Sequence, residues 1–100
     1  MPLSLLFYSS FERSLKGLGS DQKEIVQRIF KALDAYYSSS CQLFEAQRLE
    51  PGFFYKQLRK PYYETGIESK IRVLIEREKS ECFAVLAGNH DQIKRFLVGQ

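Results

Sequence analysis

Hydrophobic residues recur at two different periods along the chain, and the change of period separates a helical first part from a strand-rich second part. An apolar run at 3–8 predicts a short buried strand. Apolar residues spaced four and three apart then predict one face of a helix that starts at Ser9 or Ser10, either of which can cap it. Gly17 and Gly19 end this helix. The residues on that face are Phe11, Leu15 and Leu18.

The next helix has the clearest apolar stripe in the sequence. Asp21 and Glu24 have the spacing of a capping box and mark its start. The stripe consists of Ile25, Val26, Ile29, Phe30, Leu33 and Tyr37. Because the turn between the two helices is short, we predict that 10–37 forms an antiparallel helical hairpin that packs on one face of a sheet.

The pattern changes at Ser38. Loop signals at 38–42 and at Pro51-Gly52 precede segments rich in β-branched and aromatic residues. We predict strands at 53–58, 62–67, 70–78 and 81–88. Alternation within 70–78 places Ile71, Val73 and Ile75 on one face, and Lys70, Arg72, Leu74 and Glu76 on the other.

The end of the chain predicts a hairpin followed by a helix. The connection at 78–80 is short, so the last two strands are expected to pair antiparallel, although the turn lacks Asn-Gly. A short helix then begins near Asn89 or Asp91. The order of strand, two helices, three or four strands and a short helix predicts an α+β fold.

Composition is that of a soluble globular chain. One hundred residues predict a single domain at 1–100, and 44% hydrophobic with 27% charged residues is ordinary for that class. No apolar run is long enough to span a membrane, and no signal peptide is evident, so a cytoplasmic location is expected. Cys41 and Cys82 are expected to be reduced and unpaired with each other. The cysteines and the sole histidine offer no paired spacing for a metal.

Charge is distributed unevenly along the chain. Residues 1–50 carry six basic and six acidic side chains, whereas residues 51–100 carry nine basic and six acidic ones. A basic excess in one half is typical of a protein that binds a phosphate-bearing partner, and equally of a solvated charged surface.

The motifs and their order give the sequence a resemblance to a known superfamily. LFYSSFERSLKGL and QKEIVQRIFKAL, then YKQL, YYE and SKIRVLIE, and finally AGNHDQIKRFL follow one another in the chain. In this order they resemble the RelE/ParE toxin superfamily, the ribosome-dependent mRNA interferases and their relatives. The resemblance implies a RelE-like fold, in which a helical hairpin packs on one face of a mainly antiparallel sheet of three to five strands with a short C-terminal helix.

Arg72 and His90 are the catalytic residues that the resemblance implies. Cleavage of RNA by its own 2′-hydroxyl needs proton transfer and a cation at the phosphate, and no metal or other cofactor is required if arginine supplies the charge. Arg72 matches the arginine of the superfamily's "yRvly" strand, and His90 follows the last strand, where members carry a histidine or arginine. We expect both to line one groove on the sheet face away from the hairpin. A surface arginine and a helix-capping histidine are the alternatives.

The resemblance also implies a set of RNA-binding residues. They are Lys56, Arg59, Lys60, Tyr62, Arg95 and Phe96. Basic residues among them would contact phosphates, and the two aromatic rings would stack on bases. A charged loop and sheet or core packing are the alternatives for the same residues.

One departure from the superfamily's pattern keeps several functions open. Many members read "YElR", but this chain reads Glu64-Thr65-Gly66, so a basic residue is missing. The first reading is an mRNA-cleaving toxin that acts on the ribosome and is silenced by a small cognate antitoxin. The alternatives are a ParE-like, non-enzymatic topoisomerase poison and a catalytically decayed protein that still binds its antitoxin. A weak homodimer is compatible with each.

Overall fold

The strands form one sheet in a computed structural model that describes residues 4–99. They are β1 (Ser4–Phe7), β2 (Phe53–Arg59), β3 (Tyr62–Ile67), β4 (Arg72–Arg77) and β5 (Glu81–Gly88), in the spatial order β1-β5-β4-β3-β2. β1 pairs with β5 in parallel, and the remaining neighbours pair antiparallel. The predicted α+β fold with a mainly antiparallel sheet is confirmed. Residue 3 of the predicted first strand lies outside the described residues.

The helices include one that the sequence did not reveal. They are α1 (Ser9–Lys16), α2 (Ser20–Ser38), α3 (Leu43–Leu49) and α4 (His90–Val98). α3 lies between the two predicted loops and packs against α2 and β2, with Ala46 fully buried. Its two turns are too short for an apolar period to be read from the sequence.

The serines at the start of α1 bind the sheet instead of capping the helix. The N-cap is Tyr8, which makes no side-chain cap hydrogen bond in the described part of the chain, so the predicted cap is wrong. β1 pairs with β5 only as far as Ala84. Beyond it, the Ser10 hydroxyl donates to the carbonyl of Val85 (2.6 Å), and the Ala87 N–H donates to the Ser14 hydroxyl (3.0 Å). Side chains of α1 thus provide hydrogen-bond partners for backbone groups of β5 that β1 leaves unpaired.

The caps of the later helices follow the prediction in one case only. α2 begins after Gly19, whose N–H donates to the Gln22 side chain (3.0 Å), so the predicted Asp21–Glu24 capping box is wrong. α4 has the predicted Asn89 cap, whose side chain accepts from the N–H of Gln92 at 2.8 Å. That cap fixes where α4 begins, and therefore the position of His90, its first residue.

Two hydrophobic clusters lie on opposite faces of the sheet. The larger one covers the face that carries Val73 and Ile75, here called the hairpin face, where Ile29 and Leu33 of α2 have no exposed surface. Other predicted contacts of the hairpin are partly buried against it, namely Leu15, Leu18, Ile25 and Phe30. The smaller cluster contains Leu74, Val85 and Ile93 and lies under α4 on the second face, here called the α4 face.

Leu33→Ala should cost about 2–5 kcal/mol of unfolding free energy, because Leu33 is completely buried and the truncation leaves a cavity. Urea denaturation followed by circular dichroism measures the loss. Leu49→Ala is the matched control, since Leu49 is 55% exposed. Equal losses for the two variants would contradict the assigned packing.

Both cysteines are free thiols in different environments. Cys41 follows α2 and is half-buried, whereas Cys82 is fully buried in β5, and burial raises the pKa of the Cys82 thiol. We expect a thiol reagent to modify Cys41 quickly in the native protein, and Cys82 only after unfolding, because a buried thiol is inaccessible and poorly ionised. Mass spectrometry of the labelled peptides tests this order. Rapid native labelling of Cys82 would contradict it.

Candidate functional site

Arg72 and His90 are brought together by the pairing of the last two strands. Arg72 begins β4 directly opposite Gly88, the last residue of β5, and His90 follows two residues later at the first position of α4. Both side chains line one cleft of about 290 Å³, together with Lys70, Asn89 and Asp91. The two side chains implied as catalytic therefore share one groove, which lies on the α4 face.

A buried carboxylate joins these two side chains. Glu64 of β3 has no exposed surface, and its Oε2 accepts a hydrogen bond from Arg72 Nη1 at 2.5 Å. The other oxygen, Oε1, lies 3.4 Å from His90 Nδ1. Arg72 and His90 stay 29% and 48% exposed. A buried carboxylate is stable only when it is paired, and here both partners extend from it toward the solvent-accessible cleft.

The position of His90 determines which of its ring nitrogens can contact a ligand. Because Nδ1 faces Glu64, a proton on Nδ1 would complete that hydrogen bond, and Nε2 is left to bind or exchange a proton with a ligand. The Asn89 cap holds the start of α4, where His90 is the first residue. The backbone and the carboxylate together orient the imidazole.

The guanidinium of Arg72 is held by more than its ion pair. Its central carbon lies 5.3 Å from the centroid of the Phe54 ring, on the neighbouring edge strand β2. Gly66, between them on β3, has no side chain, and a Cβ there would lie 3.0 Å from the Phe54 ring and 3.3 Å from Arg72 Cγ. The Nε of Arg72 is buried and has no hydrogen-bond partner among residues 4–99.

The aromatic and basic residues implied for RNA binding fall into separate places. Lys56 is exposed on β2, with its Nζ 5.9 Å from the Phe54 ring centroid, so it lies beside the Arg72 contact. Tyr62 and Phe96 meet edge to face at 6.5 Å and are half-buried at the smaller cluster. Core packing therefore accounts for both rings, and their stacking on RNA stays a prediction.

The remaining predicted RNA-binding residues lie toward the ends of β2 and α4. Arg59 donates to the carbonyl of Leu97 at 2.5 Å and lines a second groove with Lys94 and Leu97. Lys60 is exposed in the turn between β2 and β3, and Arg95 is exposed in the last turn of α4. The structure groups Arg59 with α4 and does not place these three side chains in the lining of the Arg72–His90 cleft.

Sequence reasoning missed Glu64 and Lys70 as members of the site. Glu64 appeared only as part of a strand motif, because its position beside Arg72 depends on the register in which Glu64 faces Leu74. Lys70 lines the cleft but lies outside β4, in the connection that follows β3. Alternation within 70–78 indicated the correct face for Arg72 only, because Lys70 is not part of the strand. No three histidine, cysteine, aspartate or glutamate side chains of the described residues form a group that could hold a metal ion.

Comparison with solved structures shows a shared fold. The chain is similar to a copper-bound mutant toxin from Helicobacter pylori, with a TM-score of 0.55 and 19% sequence identity over 91% of this chain and 98% of that chain. Comparisons with protein-family models and with curated proteins found no match. No helix within residues 4–99 is both long and apolar enough to cross a membrane. The structural similarity to the Helicobacter pylori protein shows that the fold of this chain is one that a bacterial toxin also adopts.

Proposed function

We propose that this protein is the toxin of a type II toxin–antitoxin system and that it cleaves mRNA on the ribosome. The observation that carries the proposal is the meeting of Arg72 and His90 on the buried Glu64 carboxylate, at the rim of one solvent-accessible cleft. The shared fold with a toxin supports the toxin role. The motifs that resemble mRNA interferases support the RNA substrate.

The reaction needs two proton transfers and a stabilised phosphorane. A base takes the proton from the ribose 2′-hydroxyl, and the 2′-oxygen then bonds to phosphorus. The bond from phosphorus to the 5′-oxygen breaks, and an acid protonates that oxygen. The products are a 2′,3′-cyclic phosphate and a 5′-hydroxyl. In this proposal His90 exchanges a proton at Nε2, and Arg72 stabilises the negative charge on the phosphate oxygens.

The cleft supplies further groups that suit this substrate. Lys70 adds a second cation beside Arg72, and Asp91 adds a carboxylate that can exchange the other proton. Lys56 extends the positive charge toward the edge strand, where a single-stranded RNA backbone could follow it. Arg59, Lys60 and Arg95 would contact the phosphates of mRNA or of ribosomal RNA outside the cleft.

The ion pair of Arg72 favours one competing function. Part of the guanidinium's hydrogen-bonding capacity is committed to Glu64, so less of it is available to a phosphate. This is the arrangement expected of a protein whose site has decayed and which is retained for binding its antitoxin. A topoisomerase poison that acts by contact also fits the fold and needs no cleft chemistry. Both alternatives predict that His90 is dispensable.

Induced expression in bacteria with mapping of mRNA 5′ ends tests the proposal. Wild type should arrest growth and produce new 5′ ends within translated regions, and co-expression of a cognate small antitoxin should suppress both effects. His90→Ala should produce neither effect. Lys31→Ala is a suitable control, because Lys31 is exposed on α2, on the opposite side of the sheet. Growth arrest without new mRNA ends would contradict RNA cleavage and favour a contact poison.

A further inference from the structure

We infer that Phe54 and Gly66 are positioning residues, which hold the Arg72 guanidinium in the orientation that the cleft uses. The part of this inference that concerns RNA rests on the proposed function, whereas the part that concerns Arg72 itself does not. Neither residue belongs to the motifs that indicated the site. Phe54 lies on the edge strand β2, and Gly66 stands where a basic residue was expected.

The three residues lie in one row across neighbouring strands. Phe54 pairs with Gly66 in the register of β2 and β3, and Gly66 pairs with Arg72 in the register of β3 and β4. Residues that pair in this way have side chains on the same face of the sheet. The side chains of Phe54 and Arg72 therefore approach each other directly above the Gly66 backbone.

Gly66 provides the space for this approach. A Cβ at position 66 would lie 3.0 Å from the Phe54 ring and 3.3 Å from Arg72 Cγ, closer than such atoms normally approach. Any other residue would displace one of the two side chains. The departure from the superfamily's basic residue therefore has a physical consequence, because glycine at position 66 leaves room for the Arg72 side chain over β3, where Arg72 bonds to Glu64.

Phe54 and Glu64 both contact the guanidinium of Arg72. The guanidinium carbon lies 5.3 Å from the ring centroid, within the range of a cation–π interaction. Arg72 Nη1, which is bonded to that carbon, donates to Glu64, and the buried Nε is bonded to the same carbon. The Phe54 ring, the Gly66 backbone and the Glu64 carboxylate together restrict the rotamers of the Arg72 side chain, which is otherwise long and flexible.

Nuclear magnetic resonance on the purified protein tests the positioning directly and needs no RNA. The Nε–H of Arg72 should exchange slowly with water in the wild type, because Nε is buried. Phe54→Leu should accelerate this exchange by at least about threefold, the equilibrium effect of a weak cation–π contact, and Phe54→Tyr should retain the protection. Phe44→Leu is the matched control, since Phe44 is 57% exposed on α3. Unchanged protection in Phe54→Leu would overturn the inference.

Kinetics of RNA cleavage provides the second readout. Phe54→Leu should lower kcat/KM by roughly threefold to thirtyfold, and Phe54→Tyr should restore most of that loss. Gly66→Ala should accelerate Nε–H exchange as Phe54→Leu does, and an Arg72 signal unchanged from wild type would also overturn the inference. If the wild type does not cleave RNA, the proposed function fails, while the Nε–H exchange still decides the positioning role. If Phe54→Leu cleaves RNA as fast as wild type, positioning by Phe54 is wrong even though the proposed function stands.

Discussion

Replacing His90 by alanine should lower the rate of RNA cleavage by about 10²–10⁴-fold, the usual contribution of a positioned acid or base. The fold should survive, because the side chain is 48% exposed and Glu64 keeps its bond to Arg72. Binding of the antitoxin should survive as well. Cleavage kinetics under single-turnover conditions measure the chemical step without product release.

A second substitution at position 90 separates proton exchange from hydrogen bonding. His90→Gln keeps a hydrogen-bonding group near Glu64 but cannot exchange a proton near neutral pH, so it should be as inactive as alanine. Full activity in His90→Gln would show that His90 only orients its neighbours. Full activity in both variants would make His90 the first residue of a helix and nothing more.

Of the substitutions at this site, Arg72→Ala should lower the free energy of unfolding most. It removes one partner of a fully buried carboxylate, which in other proteins costs about 3–5 kcal/mol. We expect roughly 3 kcal/mol here, the lower end of that range, because Arg72 is 29% exposed. Loss of growth arrest in this variant would therefore report unfolding together with lost phosphate binding, and stability must be measured alongside activity.

Two further variants separate stability from chemistry at Arg72. Glu64→Gln with Arg72→Gln removes both charges, so it should recover much of the stability that Arg72→Ala loses, while it remains inactive. Arg28→Ala is the surface control, because Arg28 makes a bidentate ion pair with Glu50 but is 53% exposed. Its loss of stability should be clearly smaller. Equal losses for Arg28→Ala and Arg72→Ala would contradict the burial of the Glu64 pair.

The parts of the site that depend on local patterns could be predicted from the sequence. The alternation within 70–78 assigned Arg72 to the face opposite Val73, and the break after the last strand placed His90 at the start of a helix. Both expectations agree with the described geometry, because each follows from spacing along a single element. The stripe that includes Ile29 and Leu33 likewise identified the helix face that is buried against the sheet.

The parts that depend on pairing between distant segments could not be predicted. Glu64 reaches Arg72 only because the register sets Gly66 opposite Arg72, and no short-range pattern specifies that register. The same is true of Ser10, which was predicted as a possible cap of α1 but whose hydroxyl donates to the carbonyl of Val85 in β5. α3 was missed for a different reason, since seven residues hold too few turns to show a period.

The most direct test of the central claim is the chemistry of the RNA ends left by the purified protein. Wild type incubated with ribosomes that carry a defined mRNA should produce fragments with 2′,3′-cyclic phosphate and 5′-hydroxyl ends, and His90→Ala should leave the mRNA intact. That result would establish 2′-hydroxyl attack assisted by His90. Expression of the wild-type protein in cells should also arrest growth. Intact mRNA after incubation with purified wild-type protein, although its expression arrests growth, would contradict the proposal that the Arg72–His90 cleft cleaves RNA.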